Sequence, residues 1–485
     1  MSIVNDPVTR PLALGVKRPA DARVLVAAAV AAVLADLAVR SGMAGVAGTL
    51  LVVAVVAGLL ASRRVAGLDA ACVVGAALAF GLFLSLRTSP WLLPLDIMAV
   101  AGLLLLGSSL AGGGRLFDLP VPSLAVRAIH ATAHGLAAPA FLAAPLSRRR
   151  PVAILAGAGL ALPLLVVLGL LLASADAVFA GFFSWWESPE TVITHAVLLG
   201  IGAWGMTGLL RLVSAEPAPA PPHLPYRLGH VEATVVVGSL VALFSAFAVA
   251  QVIAVAGGAR HVLETAGLTY AEYARQGFFQ LVAVAAITLV ALVGLRAVTD
   301  LSDPADRRRF TVLGEVAIGL TLVILAVAVR RLGLYTDAYG LTMLRFFSLV
   351  FTLWIGSVLV LAALALSGAG ADRAWFTGAA LVAGLALLLG LNALNPEAIV
   401  ARHNVERAAR QLAVDPVYLA ELSDDAVPAL VEALPRLKEP ERTAVLDAVC
   451  AGGDWPFDGW AAANTSRWRA ADARQRVCGP VGVRR

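Results

Sequence analysis

Charge is scarce in this chain. Asp, Glu, Lys and Arg make up 14% of 485 residues, where a soluble domain carries about 25%. Lysine is nearly missing: Lys17 and Lys438 are the only two. The net charge of +5 is spread along the chain without a dense basic run, so a nucleic-acid partner is not expected. Three cysteines are too few for a disulfide-built scaffold. No phosphate-binding loop, dinucleotide fingerprint, nucleophile elbow or HExxH appears. Accordingly, no catalytic residue, cofactor or metal site is predicted.

What fills the chain instead is apolar. Hydrophobic residues are 60% of it, and the mean hydropathy is +0.85. Many windows reach the roughly 20 apolar residues that cross a bilayer. Backbone groups in hydrocarbon must bond internally, so each run reads as a helix. The predicted fold class is all-α, a polytopic integral membrane protein with about 11 transmembrane helices. The runs lie at 23–40, 43–61, 66–86, 91–111, 151–173, 192–213, 231–254, 277–298, 311–330, 341–367 and 375–393. No small-residue cleavage site follows the first run, so an uncleaved first span is expected.

Basic residues set the orientation. With the N-terminus in the cytoplasm, inner segments hold eighteen Lys and Arg, including Arg148, Arg149, Arg150, Arg307, Arg308 and Arg309. Outer connections hold six: Arg40, Arg87, Arg260, Arg275, Arg330 and Arg331. Eleven spans then put the C-terminus outside. The predicted location is the bacterial cytoplasmic (inner) membrane, with the bilayer as the first partner. The stretch 115–150 is apolar in its middle but interrupted by Arg127, His130 and His134. It is expected to lie along the inner interface; a crossing there would invert every later assignment. The Pro- and Ala-rich link 214–230 is expected to divide six spans from five.

After residue 394 the pattern becomes amphipathic and charged. Asp415-Pro416 and Glu439-Pro440 look like helix starts, and Ala426, Leu430, Ala433 and Leu434 recur at helical spacing. This predicts a small extracytoplasmic helical domain over 394–485. Cys450 and Cys478 fall in it. An external tail places them in an oxidising compartment, so a disulfide between them is predicted. Cys72 sits in a span and is expected to be a small core residue.

Two junctions concentrate polar groups at membrane entry. Arg330, Arg331, Tyr335, Asp337, Tyr339 and Arg345 lie in "RRLGLYTDAYGLTMLRFFSLV" (330–350); Tyr270, Glu272, Tyr273 and Arg275 precede span eight. Arg345 lies about 6 Å along its helix from Leu341. One reading has Arg345 snorkel while Arg330 and Arg331 meet lipid phosphates. The other is an anion or ion-pair site in which the arginines face Asp337 and Glu272 between tyrosines. Both junctions lie on the outer side and form the candidate binding site. Asp176, Glu187 and Glu190 read as solvated loop charges, and Trp185 and Trp186 as interfacial anchors. His130 and His134 share a helix face but lack a third ligand. His195 and Gln251 read as packed, Asp36 and Glu315 as isolated acids within spans. The Asn464-Thr465-Ser466 sequon reads as chance.

Four stretches together resemble a known family: "LLASADAVFAGFF" (171–183), "TYAEYARQGFFQLVAV" (269–284), "LGLYTDAYGLTMLRFFSL" (332–349) and "NPEAIVARHNVERA" (395–408). They are similar to the bacterial polytopic membrane family known as domain of unknown function 4173, related to 4153. The resemblance covers roughly 150–485 and brings no activity, cofactor or substrate. It implies a variable hydrophobic region over 1–150 with about four spans and an interfacial helix, then a membrane core over 151–393 with about seven. The expected function is a non-enzymatic scaffold, sensor or accessory protein of the envelope, whose outer face binds an anionic lipid, glycan or protein. The alternatives are a permease or lipid transporter, and a membrane enzyme acting on a lipid-linked substrate. A transporter calls for a polar path deep in the bundle, an enzyme for outer acids converging on a cleft.

Overall fold

A computed structural model describes residues 15–16, 20–65, 67–143, 168–169, 172, 189–221, 227–256, 277–368, 374–410, 412, 415–451 and 459–478. Among them there is no β-strand; two isolated bridges, Val16 with Ala215 and Leu228 with Thr299, are the only extended pairings. The chain divides into two compact units. One comprises Met1–Leu116, Val121–Pro221 and Trp455–Trp468; the other comprises Phe117–Pro120, Pro222–Asp454 and Arg469–Arg485. The main boundary falls inside the proline-rich link.

The first unit contains α1 (Ala22–Arg40), α2 (Val46–Ala61), α3 (Leu68–Leu86), α4 (Leu93–Leu110), α5 (Val121–Leu136), α6 (Ala138–Ala143) and α7 (Pro189–Val213). Asp21 starts α1 by accepting from the Val24 amide at 3.2 Å. Burial pushes the Asp21 carboxyl up, but the Val24 N–H and the Arg64 guanidinium outweigh it and hold the group below the usual carboxylate range. Helices without water between them gain from close van der Waals packing, which small residues permit. Gly202 of α7 shows this: a Cβ there would come within 2.7 Å of the Ala35 Cβ and 2.8 Å of the Ala31 carbonyl oxygen on α1.

The polar contacts sort the helix ends of this unit. At one end Arg64, after α2, donates to Ser214, after α7, at 2.5 Å and to Asp21, before α1, at 3.3 Å. At the other end the Val46 amide, at the start of α2, donates to Ala463 O at 3.0 Å. There the Asn464 amide also reaches the carbonyls of Leu84 (3.1 Å) and Arg87 (3.0 Å). The stretch around Ala463 and Asn464, itself part of the first unit, therefore packs at the end of α1 opposite Asp21. Asn464 is only 2% exposed, so the sequon is consumed in packing.

The second unit contains α8 (His230–Ala256), α9 (Phe278–Val298), α10 (Pro304–Tyr339), α11 (Met343–Leu366), α12 (Trp375–Leu394), α13 (Pro396–Ala409), α14 (Pro416–Ala420), α15 (Val427–Ala433) and α16 (Glu441–Ala451). A last helix, α17 (Thr465–Cys478), crosses the division between Trp468 and Arg469. Phe310, Ile318, Leu325, Leu359 and Leu292 form the buried core of the spans. Outward residues such as Leu243 of α8, 64% exposed, are apolar as well, as lipid requires. Ala426, Leu430, Ala433 and Leu434 are buried together in a separate core of the C-terminal domain. Cys450 and Cys478 are joined there by a disulfide, their Cα atoms 5.7 Å apart.

Nine described helices are long and apolar enough to cross a membrane, and the apolar Val46–Ala61 is shorter. Together they occupy ten of the eleven expected runs; 151–173 falls almost wholly outside the described residues. Helix α10 corrects a boundary. It does not stop at Arg330 but runs 36 residues to Tyr339, about 54 Å at 1.5 Å per residue. That exceeds the roughly 30 Å of hydrocarbon, so Arg330 and Arg331 sit inside a helix that continues beyond its apolar stretch. Cys72 is another correction: it is exposed on α3, not packed in the core.

Candidate functional site

The turn between α10 and α11 is built around Gly340. Its φ of +82° suits glycine, and a Cβ would come within 2.6 Å of Asn404 Oδ1. A helix end leaves carbonyls without partners, and here side chains from later in the chain supply them. Arg407 donates from Nη1 to Asp337 O and from Nη2 to Ala338 O at 3.2 Å. Asn404 donates to Leu341 O at 2.6 Å and accepts from the Leu341 amide at 3.1 Å. The Tyr418 hydroxyl accepts from the Met343 amide at 2.6 Å. Burial raises the Tyr418 phenol, and the Glu397 field adds to this, against the Met343 N–H and Arg345.

Arg345 completes the turn from α11. Thr342 caps the start of α11 by accepting from the Arg345 amide, and this points the Arg345 side chain back toward α10. Its Nη1 donates to Gly340 O. Its guanidinium carbon lies 4.0 Å from the Tyr335 ring centroid and 5.9 Å from that of Tyr339, and the two rings meet edge to face at 5.2 Å. Tyr335 and Tyr339 thus frame Arg345. Asp337 is exposed, and among the described residues its carboxylate forms no ion pair; its backbone carbonyl, not its side chain, is what Arg407 uses. Arg330 is exposed and Arg331 half-buried. Arg331 lies over Gly277, where a Cβ would come within 2.7 Å of Nη1. Tyr270, Glu272, Tyr273 and Arg275 lie outside the described residues, as do Asp176, Trp185, Trp186 and Glu187.

Two polar clusters in the first unit join residues from different helices, and of their pairings only His130 with His134 was legible as a shared face. Asp36 of α1 meets His195 of α7, with Nδ1 at 2.8 and 2.9 Å from the two carboxylate oxygens. Arg40 flanks the pair at 3.7 Å from Asp36. Nearer the other end of α7, Arg211 contacts His134 Nδ1 at 2.7 Å, and His134 Nε2 lies 3.2 Å from His130 Nε2. Arginine only donates. His134 therefore carries its proton on Nε2, which points it at His130 instead of leaving that nitrogen free for a metal. No group of three or more metal-ligating side chains occurs among the described residues. The signal available in sequence was one isolated acid and one isolated histidine in different spans, which spacing cannot pair.

An all-α bundle of membrane-length helices with a small helical domain seated on one turn defines a multi-pass integral membrane protein. The chain belongs to the family described as "Domain of unknown function (DUF4153)", which matches residues 72–433. The related label 4173, to which the motifs pointed, is not the one matched. The match begins in α3 and so takes in α3 and α4, upstream of the stretch covered by the resemblance. Comparisons with curated proteins and with solved structures returned no match.

Proposed function

We propose that this protein is a non-catalytic scaffold of the bacterial envelope. It spans the cytoplasmic membrane with its N-terminus in the cytoplasm and holds its C-terminal domain outside. There the outer helix ends, with Arg330, Arg331 and the Tyr335–Tyr339 pair, bind an anionic lipid, glycan or protein. The observation that carries this reading is the seating of the C-terminal domain. Asn404, Arg407 and Tyr418 spend their polar groups on the α10–α11 turn, which makes the domain a fixed platform instead of a tethered one. The distribution of basic residues and the Cys450–Cys478 bond support the outside placement, because disulfides persist in oxidising compartments.

The test uses full-length protein and short-chain, water-soluble phospholipid probes. A phosphatidylglycerol probe should bind more tightly than its phosphatidylcholine counterpart. The preference should fall in Arg330→Gln/Arg331→Gln. Equal binding of the two probes would overturn the anionic site.

A permease remains the second reading, favoured by one observation. The Asp36–His195 and Arg211–His134–His130 clusters lie toward opposite ends of α7, within one unit. Proton or solute flux in proteoliposomes that is lost in His195→Gln would favour transport over the scaffold.

A further inference from the structure

We infer that residues 459–468, in the first unit, are a membrane-interface anchor: they close the end of the short span α2 and present Trp460 and Trp468 to the lipid headgroup region. Helix α2 has 16 residues, about 24 Å at 1.5 Å per residue, where the hydrocarbon is about 30 Å thick. Its C-terminal end is followed at once by Arg63 and Arg64, and Arg64 is held there by Ser214 and Asp21. Charged groups of this kind belong at a headgroup level. The start of α2 therefore falls at the opposite edge of the hydrocarbon and does not rise above it. The tail segment meets it at that depth. The Val46 amide, which has no partner within its own helix, donates to Ala463 O at 3.0 Å. A Cβ on Gly45 would come within 2.5 Å of Ala461 O, so the two backbones are in contact.

Two exposed rings flank this contact. Trp460 is 58% exposed and Trp468 56%, and they are the only large hydrophobic side chains in "GWAAANTSRW" (459–468). Trp460 precedes Ala461, whose carbonyl lies against Gly45. Trp468 is one helical turn past Asn464 and donates its amide to Asn464 O at 3.2 Å. Asn464 is itself fixed to the carbonyls of Leu84 and Arg87 at the end of α3. Trp91, 38% exposed, follows in the loop from α3 to α4, at the same end. All three indoles thus lie within about a turn of a span terminus. An indole is a broad apolar ring with a single N–H donor, which suits the boundary between acyl chains and headgroups better than water or hydrocarbon. The residues between the two rings are small or polar, so the rings carry the lipid contact and α2 sets its depth. The anchor holds for either orientation of the chain, and it shares no residue with the binding site proposed above.

The test places a spin label on full-length protein at Trp460→Cys or Trp468→Cys, in a Cys72→Ala background with Cys450–Cys478 left oxidised, in vesicles of phosphatidylglycerol and phosphatidylcholine. Each label should collide more with oxygen, which concentrates in lipid, than with a water-soluble nickel chelate. Gly45→Ala should reverse that order. The Gly45 backbone is extended, with φ of −173°, so this change acts through the lost contact with Ala461 and not through strain. An excess of chelate collisions at either label in the Gly45 protein would overturn the anchor by putting the rings in water. A label reached by neither probe would overturn it by putting the rings against protein. An unchanged order in Gly45→Ala would overturn the role of α2. Lipids brominated near the headgroup give a second reading if a labelled variant does not fold. They should quench the tryptophan emission of the unmodified protein more than that of Trp460→Phe/Trp468→Phe, and equal quenching would overturn the anchor as well.

Discussion

At the scale of single residues, the two arginines that close the α10–α11 turn, Arg345 and Arg407, act on backbone carbonyls. Arg407 is 7% exposed and answers two carbonyls that end α10. Replacing it with alanine leaves them in a buried place, at about 3 kcal/mol by the cost of unmade bonds to charged groups. Arg345 adds a stacking contact on Tyr335, worth about 1–2 kcal/mol. Arg345→Lys should recover little of the loss in Arg345→Ala, because lysine lacks the planar fork; thermal unfolding in detergent reads both. Tyr418 gives a pH signature. Its folded-state pKa is raised, so the unfolded chain loses that proton first, near pH 10. Its contribution to stability should be constant below about pH 10 and fall as pH rises above it. Tyr418→Phe should flatten that alkaline loss in urea titrations, while costing about 1–3 kcal/mol at neutral pH through the unanswered Met343 amide.

At the scale of elements, packing in the first unit depends on surfaces shaped by small side chains. Gly202 has no room for a Cβ against α1. Gly202→Val should therefore lower stability by about 1–3 kcal/mol, as overpacking does. Gly200, two residues away, has nothing within 4 Å of its Cβ position. Gly200→Ala should leave the unfolding temperature in detergent nearly unchanged, and an equal loss in both variants would show that close α1–α7 packing is not the cause. The periodicity of the apolar runs made ten of these helices legible. It placed the end of α10 at the first arginines, because charge resembles a boundary. Its last carbonyls are answered from later in the chain, those of Asp337 and Ala338 by Arg407 and that of Thr336 by the Gly340 amide.

At the scale of the whole molecule, topology and the C-terminal disulfide are one question. Reporter fusions after residues 64, 150, 226 and 305 should read cytoplasmic, and those after 188, 265 and 394 external. An external reading at 226 with a cytoplasmic one at 265 would overturn the eleven-span topology. The bond between Cys450 and Cys478 closes a separation of 28 residues, worth about 3–4 kcal/mol by limiting the unfolded chain. Reduction should lower the unfolding temperature of the full-length protein. Both thiols should resist alkylation before reduction, whereas ready labelling of native protein would count against the bond and against an external tail.

By itself, the sequence determined the class: a chain this apolar and this poor in charge must satisfy its backbone inside helices and give their faces to lipid. It also determined where most helices lie, because hydrophobic periodicity is local. The four residues Ala426, Leu430, Ala433 and Leu434 were readable as one core face for the same reason. Partners distant in sequence were decided only by the tertiary structure. Asp36 meets His195 across 159 positions, and Asn464 reaches Leu84 across 380. Asn404 and Arg407, three apart on one face of α13, could be seen as a pair, but nothing local said that their acceptors would be the carbonyls of a turn more than sixty residues earlier. A hydrogen bond needs its acceptor within about 3 Å, and in a bundle that proximity is set by how helices stack, which no run of neighbouring residues encodes alone.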